Sequence, residues 1–152
     1  MPSVLDAIIA RKRAELDRQK RRLPPHELSR LVDTSPPPRN FLAALSSHDP
    51  PRIIAEIKRG SPAVGPLRPA ELPDAWQPEA LAQAYERGGA AALSVVTDVH
   101  HFWGNPDAIL ACGEATQLPV LRKDFIIDPY QIDESRWLGA DAILLIARVI
   151  ES

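Results

Sequence analysis

The stretch PVLRKDFIIDPYQIDESRWLGADAILLIARV, residues 119–149, decides the fold of this chain. Its first part, 119–125, and its last part, 142–149, are largely apolar and are predicted to be strands. Between them, 129–138 has the composition of a helix, and Gly139 closes it. A strand, a helix and a second strand joined by short turns predict a parallel βαβ unit.

The same alternation of strands and helices extends upstream of this stretch. Strands are predicted over 52–58 and 91–97, and helices over 78–87 and 106–115. The strand starts match the repeat of a (β/α)8 barrel, which uses roughly 30 residues per unit. An open doubly wound sheet is built from similar units, so the spacing leaves both architectures open. No G-x-G-x-x-G loop follows the first strand, which disfavours the dinucleotide-binding form of the doubly wound sheet.

The first third of the chain precedes this alternation. Ser3 can cap a helix over 3–22, a proline-broken segment follows, and a short helix is predicted around 40–46. We therefore predict two parts, an N-terminal helical extension over 1–50 and a partial (β/α)8 barrel over 51–152.

The composition disfavours several classes of protein. The 152 residues carry a formal net charge of −2, whereas nucleic-acid-binding proteins are usually basic. The single cysteine, Cys112, cannot form an internal disulfide and is interpreted as a small apolar helix residue, which fits a cytoplasmic location. Neither a secretory signal nor an apolar run long enough for a membrane span is visible. The basic runs at 11–13 and 20–22 are interpreted as a solvated helix face rather than an anion-binding patch.

The first predicted strand carries two charges where a parallel strand is normally apolar. Glu56 and Lys58 are two residues apart and therefore share one face, whereas Ala55 and Ile57 lie on the other. The apolar face can pack on helices, so the charged face points toward a barrel interior. A structural ion pair is one interpretation. Their place at the carboxyl end of the strand, where the active sites of such barrels lie, favours a functional one.

The third predicted strand has the same feature. Leu121, Lys123 and Phe125 share a face, while Arg122 and Asp124 lie on the other and are predicted to form an ion pair that braces the strand. A lysine at a barrel mouth can act as a general acid, an electrostatic stabiliser or a Schiff-base nucleophile. The alternative is a lysine whose stem is buried and whose ammonium reaches solvent.

The loops after the first two strands add further candidates at the same end. Ser61 can donate a hydrogen bond to a ligand, although serine in a turn often serves only the turn. His100 and His101 lack the further ligands that a metal site needs, so a solvated loop is expected there and no metal. Phe102 and Trp103 follow them, and loop aromatics of this kind often line ligand pockets.

Four of these segments together resemble the indole-3-glycerol-phosphate synthase family. The match over 119–132 is long and highly specific, and the similarity extends over almost the whole chain. The segments that carry it are IIAEIKRGSP (53–62), ALSVVTD (92–98), PVLRKDFIIDPYQI (119–132) and GADAILLI (139–146).

The resemblance implies an α/β fold in which parallel (β/α) units form the first half of a TIM (β/α)8 barrel. It implies a carboxy-lyase of tryptophan biosynthesis that closes the indole ring of 1-(2-carboxyphenylamino)-1-deoxyribulose 5-phosphate, with loss of CO2 and water and without a cofactor. Lys123 matches the general acid, Lys58 a second catalytic lysine, and Glu56 the glutamate that holds both. The positions matching the substrate pocket are Ser61, Pro62, Phe102, Phe125 and Leu144.

The resemblance also implies that strands five to eight, with the phosphate-binding loops, would lie beyond residue 152. On this basis we expect the chain to be a half barrel with little activity alone, which self-associates, is marginally folded or pairs with a complementary half. The expected ligand is a phosphorylated small molecule, and neither nucleic acid nor a membrane is expected as a partner. The alternative is a non-catalytic half-barrel module that binds anions or assembles with a partner.

Overall fold

Three helices precede the first strand in the computed structural model, which describes residues 3–46, 51–67 and 76–150. They are α1 (Val4–Arg22), α2 (Pro25–Asp33) and α3 (Phe41–Leu45). Ser3 caps α1 as predicted, because its Oγ accepts from the backbone N–H of Asp6 at 3.2 Å while the Asp6 carboxylate accepts from the N–H of Ser3 at 2.6 Å. The helix α2 was not predicted. Its proline stands in the first turn, where a missing N–H costs no helical hydrogen bond.

Strands and helices then alternate along the rest of the described chain. The elements are β1 (Ile54–Ile57), β2 (Gly60–Ser61), β3 (Gly65–Pro66), α4 (Pro78–Arg87), β4 (Ala92–Val96), α5 (Val99–Phe102), α6 (Asp107–Ala115), β5 (Val120–Lys123), α7 (Tyr130–Trp137), β6 (Ala142–Ile143) and α8 (Ala147–Ile150). The strands β1, β4, β5 and β6 form one parallel sheet in that order, and β2 pairs with β3 in a short antiparallel hairpin.

The strand order distinguishes the two architectures that the spacing left open. The four strands of the parallel sheet lie side by side in the order in which they occur along the chain. Each crossover therefore leads to the next strand in the same direction across the sheet. A doubly wound sheet reverses its direction at a switch point, where its ligand binds. Successive right-handed crossovers without reversal instead place their helices on one face. The prediction of consecutive (β/α) barrel units is confirmed.

The outer face of the sheet forms the main apolar core. The side chains of Ile57, Leu93 and Val120 are buried there against α4 and α6. Cys112 of α6 is fully buried in the same cluster, and burial raises the pKa of its thiol to about 12. The interpretation of this cysteine as a small apolar core residue therefore agrees with its surroundings.

The strand register defines the opposite, inner face. Glu56 lies opposite Ser94, Ser94 lies opposite Leu121, and Leu121 lies opposite Ala142. Paired residues of neighbouring strands project to the same side, so the alternation predicted for the first and third strands places Glu56 and Lys123 on this face. Lys123 follows one layer further toward the carboxyl ends, opposite Val96.

Three predicted elements differ from the structure. The strand predicted over 142–149 is only two residues long, and α8 begins five residues after its start. The segment after β1 is a hairpin rather than an open loop, and the histidine loop contains the helical turn α5. An apolar run alone does not distinguish a short strand from a strand followed by a helical turn, because both bury the same residue types. Among the described helices, none combines the length and the apolarity that crossing a bilayer requires.

Candidate active site

Glu56 stands between the two predicted lysines on the inner face. Its Oε2 accepts a hydrogen bond from Lys123 Nζ, and its Oε1 lies 3.4 Å from Lys58 Nζ. The strands β1 and β5 that carry these residues are not adjacent, since β4 lies between them. The small side chain of Ser94 on β4 leaves room for the long Lys123 side chain to reach across.

The charged side chains of Glu56, Lys58 and Lys123 are only partly exposed to solvent, so water screens their charges only in part. The side chains of Glu56, Lys58 and Lys123 are 32%, 31% and 42% exposed, so all three face an open mouth rather than a closed core. Partial burial raises the pKa of Glu56, but the hydrogen bond and charge of Lys123 and the charge of Lys58 outweigh burial and hold it below its ordinary value. Glu56 is therefore an anion at neutral pH, with two ammonium groups directed toward it.

An apolar cavity adjoins Lys123 at the carboxyl ends of β4 and β5. Its lining includes Phe102, Phe125 and Leu144, three of the predicted pocket residues. The other lining residues are Val96, Ile146, Lys123 and the two carboxylates Asp98 and Asp124. The two phenylalanine rings lie 6.1 Å apart between centroids and are tilted by 41°. The structure thus places an apolar slot with an aromatic edge next to an ammonium group, which suits a ligand that is both aromatic and anionic.

The segment 98–104 positions Phe102 at this cavity. Asp98 caps α5 by accepting a hydrogen bond from the N–H of His101 at 2.8 Å, and its carbonyl accepts from the N–H of Gly104, also at 2.8 Å. Trp103 ends the turn in the left-handed conformation with φ of 53°. Gly104 packs so closely on the end of β4 that an added Cβ would lie 2.6 Å from the carbonyl oxygen of Val96.

Ser61 and Pro62 do not line the apolar cavity. Ser61 belongs to the hairpin strand β2 and is half-buried, with its carbonyl accepting from the N–H of Val64 at 3.2 Å. Pro62 is exposed at the hairpin turn. The hairpin nevertheless contacts α5, because the ring of Trp103 packs over Gly60. These two predicted residues therefore adjoin the cavity through α5 rather than forming its wall.

The two histidines contact charged groups of the protein. His100 of α5 contacts two residues of α1, with its Nδ1 2.9 Å from an Arg11 guanidinium nitrogen and its Nε2 3.1 Å from Glu15. His101 Nδ1 lies 3.4 Å from Asp98. Within residues 3–46, 51–67 and 76–150, no three histidine, cysteine or acidic side chains converge as a metal site would require.

The predicted Arg122–Asp124 ion pair is present and belongs to a larger buried network. The guanidinium of Arg122 lies 3.1 Å from Asp124 and 2.8 Å from Glu134 of α7. Thr97 donates its hydroxyl hydrogen to Asp124 at 2.6 Å. The Arg122 charge and the hydrogen bonds outweigh burial, so the pKa of Asp124 lies below its ordinary value.

Lys12 completes this network, and its interpretation as part of a solvated helix face was wrong. The residue is 5% exposed, and its Nζ lies 3.0 Å from each of Asp98, Asp124 and Glu15. The sequence contained a signal for this burial. Ile8, Lys12 and Leu16 are spaced four residues apart, so Lys12 lies on the same buried stripe of α1 as its two apolar neighbours.

Comparisons with known proteins agree with this architecture. Residues 5–152 match the family model described as indole-3-glycerol phosphate synthase. The chain is 45% identical over 157 residues to a protein of that name from Roseiflexus castenholzii, and the alignment covers 99% of this chain and 56% of the relative. Against a protein of the same name from Acidithiobacillus ferrooxidans the identity is 46% over 153 residues, with the same two coverages. The chain thus spans about half the length of the curated relatives it matches.

Proposed function

The chain belongs to the indole-3-glycerol phosphate synthase family, and we propose that it supplies the lysine-bearing part of that active site. The proposed substrate is 1-(2-carboxyphenylamino)-1-deoxyribulose 5-phosphate, a phosphorylated small molecule. The observation that carries the proposal is the placement of Glu56 between Lys123 and Lys58, beside a cavity edged by Phe102 and Phe125. An aromatic ring bearing a carboxylate suits this combination of apolar wall and ammonium groups.

The proposed reaction is a ring closure without a cofactor. The ring carbon that bears the carboxylate attacks the ribulose carbonyl carbon, and a carbon–carbon bond forms while the carbonyl oxygen takes up a proton. The carboxylate then leaves as CO2. Loss of the resulting hydroxyl group as water gives the indole double bond, so the products are indole-3-glycerol phosphate, CO2 and water.

In this proposal Lys123 is the general acid that protonates the carbonyl oxygen. Its Nζ is directed by Glu56 toward the mouth, and its side chain lines the same cavity as the two phenylalanine rings. A ring packed against Phe102 and Phe125 in this cavity would therefore have its reacting edge near an ammonium group. General acid catalysis of this kind typically contributes about 10²–10⁴-fold to the rate.

Lys58 and Glu56 have supporting roles in the proposal. Lys58 provides the second positive charge, placed to receive the substrate carboxylate and to serve the later dehydration. Glu56 holds both ammonium groups in the mouth, since its Oε2 faces Lys123 and its Oε1 faces Lys58. The substrate-pocket residues are proposed to be Phe102, Phe125 and Leu144 at the cavity, with Ser61 and Pro62 on the adjoining hairpin.

The proposal extends to the organisation and setting of the protein. Residues 1–50 are proposed to act as a helical extension that braces the barrel part over 51–152, supported by the contacts of Lys12 with the ends of β4 and β5. A cytoplasmic setting is proposed because the single thiol, Cys112, is a core group and not a disulfide partner. Self-association of the 152-residue chain is proposed as well, supported by the unpaired outer edges of β1 and β6 in the described sheet.

Replacement of Lys123 tests the function directly. The parent protein would complete residues 1–152 with the part of the Roseiflexus castenholzii relative that the alignment leaves uncovered, because the alignment covers 56% of that relative. We expect Lys123→Met to lower kcat at least about 100-fold, since the proton donor is removed while a similar apolar stem remains. Steady-state formation of the fluorescent indole product measures the change.

A matched control uses a lysine outside the mouth. Lys20 of α1 also pairs with a carboxylate, Asp128 at 2.7 Å, so Lys20→Met removes an equivalent ion pair without touching the cavity. We expect its kcat to stay within about threefold of the parent value, as is usual for a pair near the surface. Turnover by Lys123→Met within threefold of the parent would overturn the assigned role. A folded parent that lacks turnover but binds anthranilate would favour the non-catalytic alternative.

A further inference from the structure

Lys12 makes three short contacts to carboxylates from three different segments. Its ammonium group has three N–H donors, and Glu15, Asp98 and Asp124 each provide an oxygen 3.0 Å from the nitrogen. Asp98 and Asp124 are 2% and 4% exposed. Two buried carboxylates at neighbouring strand ends repel each other unless a cation lies between them, and Lys12 of α1 occupies that position.

Asp98 connects Lys12 to the α5 turn, which carries Phe102 at one side of the cavity. One carboxylate oxygen, Oδ2, faces Lys12, and the other, Oδ1, caps α5 by accepting from the N–H of His101. The Asp98 carbonyl oxygen accepts from the N–H of Gly104. Both ends of the turn that carries Phe102 are therefore tied to one residue, and that residue is held by Lys12.

Asp124 connects Lys12 to the backbone of Phe125 at the other side of the cavity. Its Oδ1 faces Lys12 at 3.0 Å and accepts from the N–H of Phe125 at 2.8 Å. Its Oδ2 is held by Thr97 and Arg122, which belong to the strand ends themselves. Lys12 of α1 thus connects Asp98, which caps the turn that carries Phe102, to Asp124, which accepts from the N–H of Phe125.

We propose that Lys12 is a positioning residue that fixes the mutual placement of the Phe102 and Phe125 rings, and through it the shape of the cavity that both rings line and that receives the substrate ring. The inference rests on the proposed function for the identity of that ligand. Lys12 itself does not line the cavity. Its loss should therefore weaken binding of the ring more than it slows the proton transfer from Lys123, whose ammonium group is held by Glu56 instead.

The test uses the same parent protein with Lys12→Met, which keeps the stem and removes the charge. We expect KM to rise about tenfold while kcat stays within about threefold, because the ring slot is displaced but the acid is retained. The nuclear Overhauser contact between the Phe102 and Phe125 rings, measured with labelled phenylalanine, should be lost. Lys12→Arg should restore the ring contact and bring KM back to within about threefold of the parent value, because it keeps the positive charge.

Two further variants keep the proposal falsifiable if Lys12→Met does not fold. Asp98→Asn retains an oxygen to cap α5 but removes the negative charge that faces Lys12, so it should raise KM about threefold and weaken the ring contact. Lys20→Met, which breaks another ion pair between α1 and the barrel part, should leave both readouts unchanged.

The outcomes separate the two proposals. An intact ring contact and a KM within twofold of the parent in Lys12→Met would overturn the positioning role, and so would the same result in Asp98→Asn where Lys12→Met does not fold. Equal effects in Lys20→Met, or failure of Lys12→Arg to restore KM, would also overturn it and leave Lys12 a structural residue. If the parent lacks turnover, the proposed function fails, and the ring contact by itself still decides the role of Lys12.

Discussion

Asp124 and Glu56 are carboxylates that face cations in different surroundings. The Asp124 side chain is 1% exposed and is enclosed by Arg122 and Lys12, whereas that of Glu56 is 32% exposed at the mouth. The neighbouring cations outweigh burial in both, so both have a pKa below the ordinary value. The same kind of contact holds strand ends together at Asp124 and directs two ammonium groups into an open mouth at Glu56.

The lowered pKa of Asp124 predicts how stability depends on pH. In the unfolded chain the carboxyl group takes up a proton near its ordinary pKa of 3.8, whereas the folded protein resists protonation to lower pH. The unfolded state therefore binds more protons in that interval. The free energy of unfolding should fall by up to about 1.4 kcal/mol per pH unit as the pH drops below about 4, and this contribution should be fully present above that pH.

Urea denaturation between pH 3 and pH 6 measures this dependence. Asp124→Asn removes the titrating group, so its stability should be lower at pH 6 but should decline less steeply toward pH 3. Glu56→Gln provides the comparison, since the greater exposure of Glu56 screens its interactions and should make its part of the slope smaller. A slope unchanged by Asp124→Asn would contradict the assignment.

At the scale of elements, the α5 turn shows how a short segment gains a defined position without a core of its own. It has four residues, none of which is buried, and it is held by the Asp98 cap at its start and by close packing of Gly104 on β4 at its end. Trp103 adopts a left-handed conformation between these two anchors. The position of Phe102 therefore depends on two backbone contacts rather than on burial of its own helix.

Gly104→Ala should displace this turn. The added Cβ would lie 2.6 Å from Val96 O and 2.8 Å from Thr97 Cα, and both are backbone atoms that cannot rotate away. We expect a loss of about 1–3 kcal/mol in the free energy of unfolding together with weaker binding at the cavity. Chemical denaturation and the ring contact between Phe102 and Phe125 measure the two effects.

Gly113→Ala is the matched control for that substitution. Gly113 lies within α6, and a Cβ there would meet no atom within 4 Å. Alanine favours the helix over glycine, so this variant should be more stable by about 0.5–1 kcal/mol. If Gly104→Ala were equally tolerated, the close approach of the turn to β4 would not be what holds it.

At the scale of the whole molecule, the described sheet pairs each outer strand on one side only. Within residues 3–46, 51–67 and 76–150, β1 is bonded to β4 and β6 to β5, with no further strand on either edge. The inner face near these edges presents Ile54 at 44% exposure, and Leu145 follows β6 at 55%. Unpaired strand edges with exposed apolar side chains favour association.

We therefore expect the 152-residue chain on its own to form dimers or larger assemblies. Light scattering after size-exclusion chromatography at several concentrations measures this. Ile54→Lys, which places a charge beside the β1 edge, should shift the distribution toward monomer. Leu110→Lys on α6, where the leucine is 52% exposed on an outer helix, should leave it unchanged. A compact monomer of the unmodified chain at all concentrations would contradict the expectation.

The sequence by itself determined the repeating units and the faces of their strands. Period-two alternation places Glu56 and Lys58 opposite Ala55 and Ile57, and strand–helix alternation requires parallel pairing, so both could be predicted. The Arg122–Asp124 pair followed from the same alternation because its partners are two residues apart in the predicted third strand. These features depend on residues close in sequence, and local spacing is sufficient to predict them.

Only the tertiary structure decided how distant segments meet. The order of the sheet distinguished a barrel from a doubly wound fold, which equal spacing could not. Lys12 lies 86 residues before Asp98, yet burial at the strand ends brings them to 3.0 Å. The contact of Lys123 with Glu56 across β4 likewise depends on strand order and register. Contacts of this kind arise from packing of the whole chain, because the free energy of burying a charge depends on every segment that surrounds it.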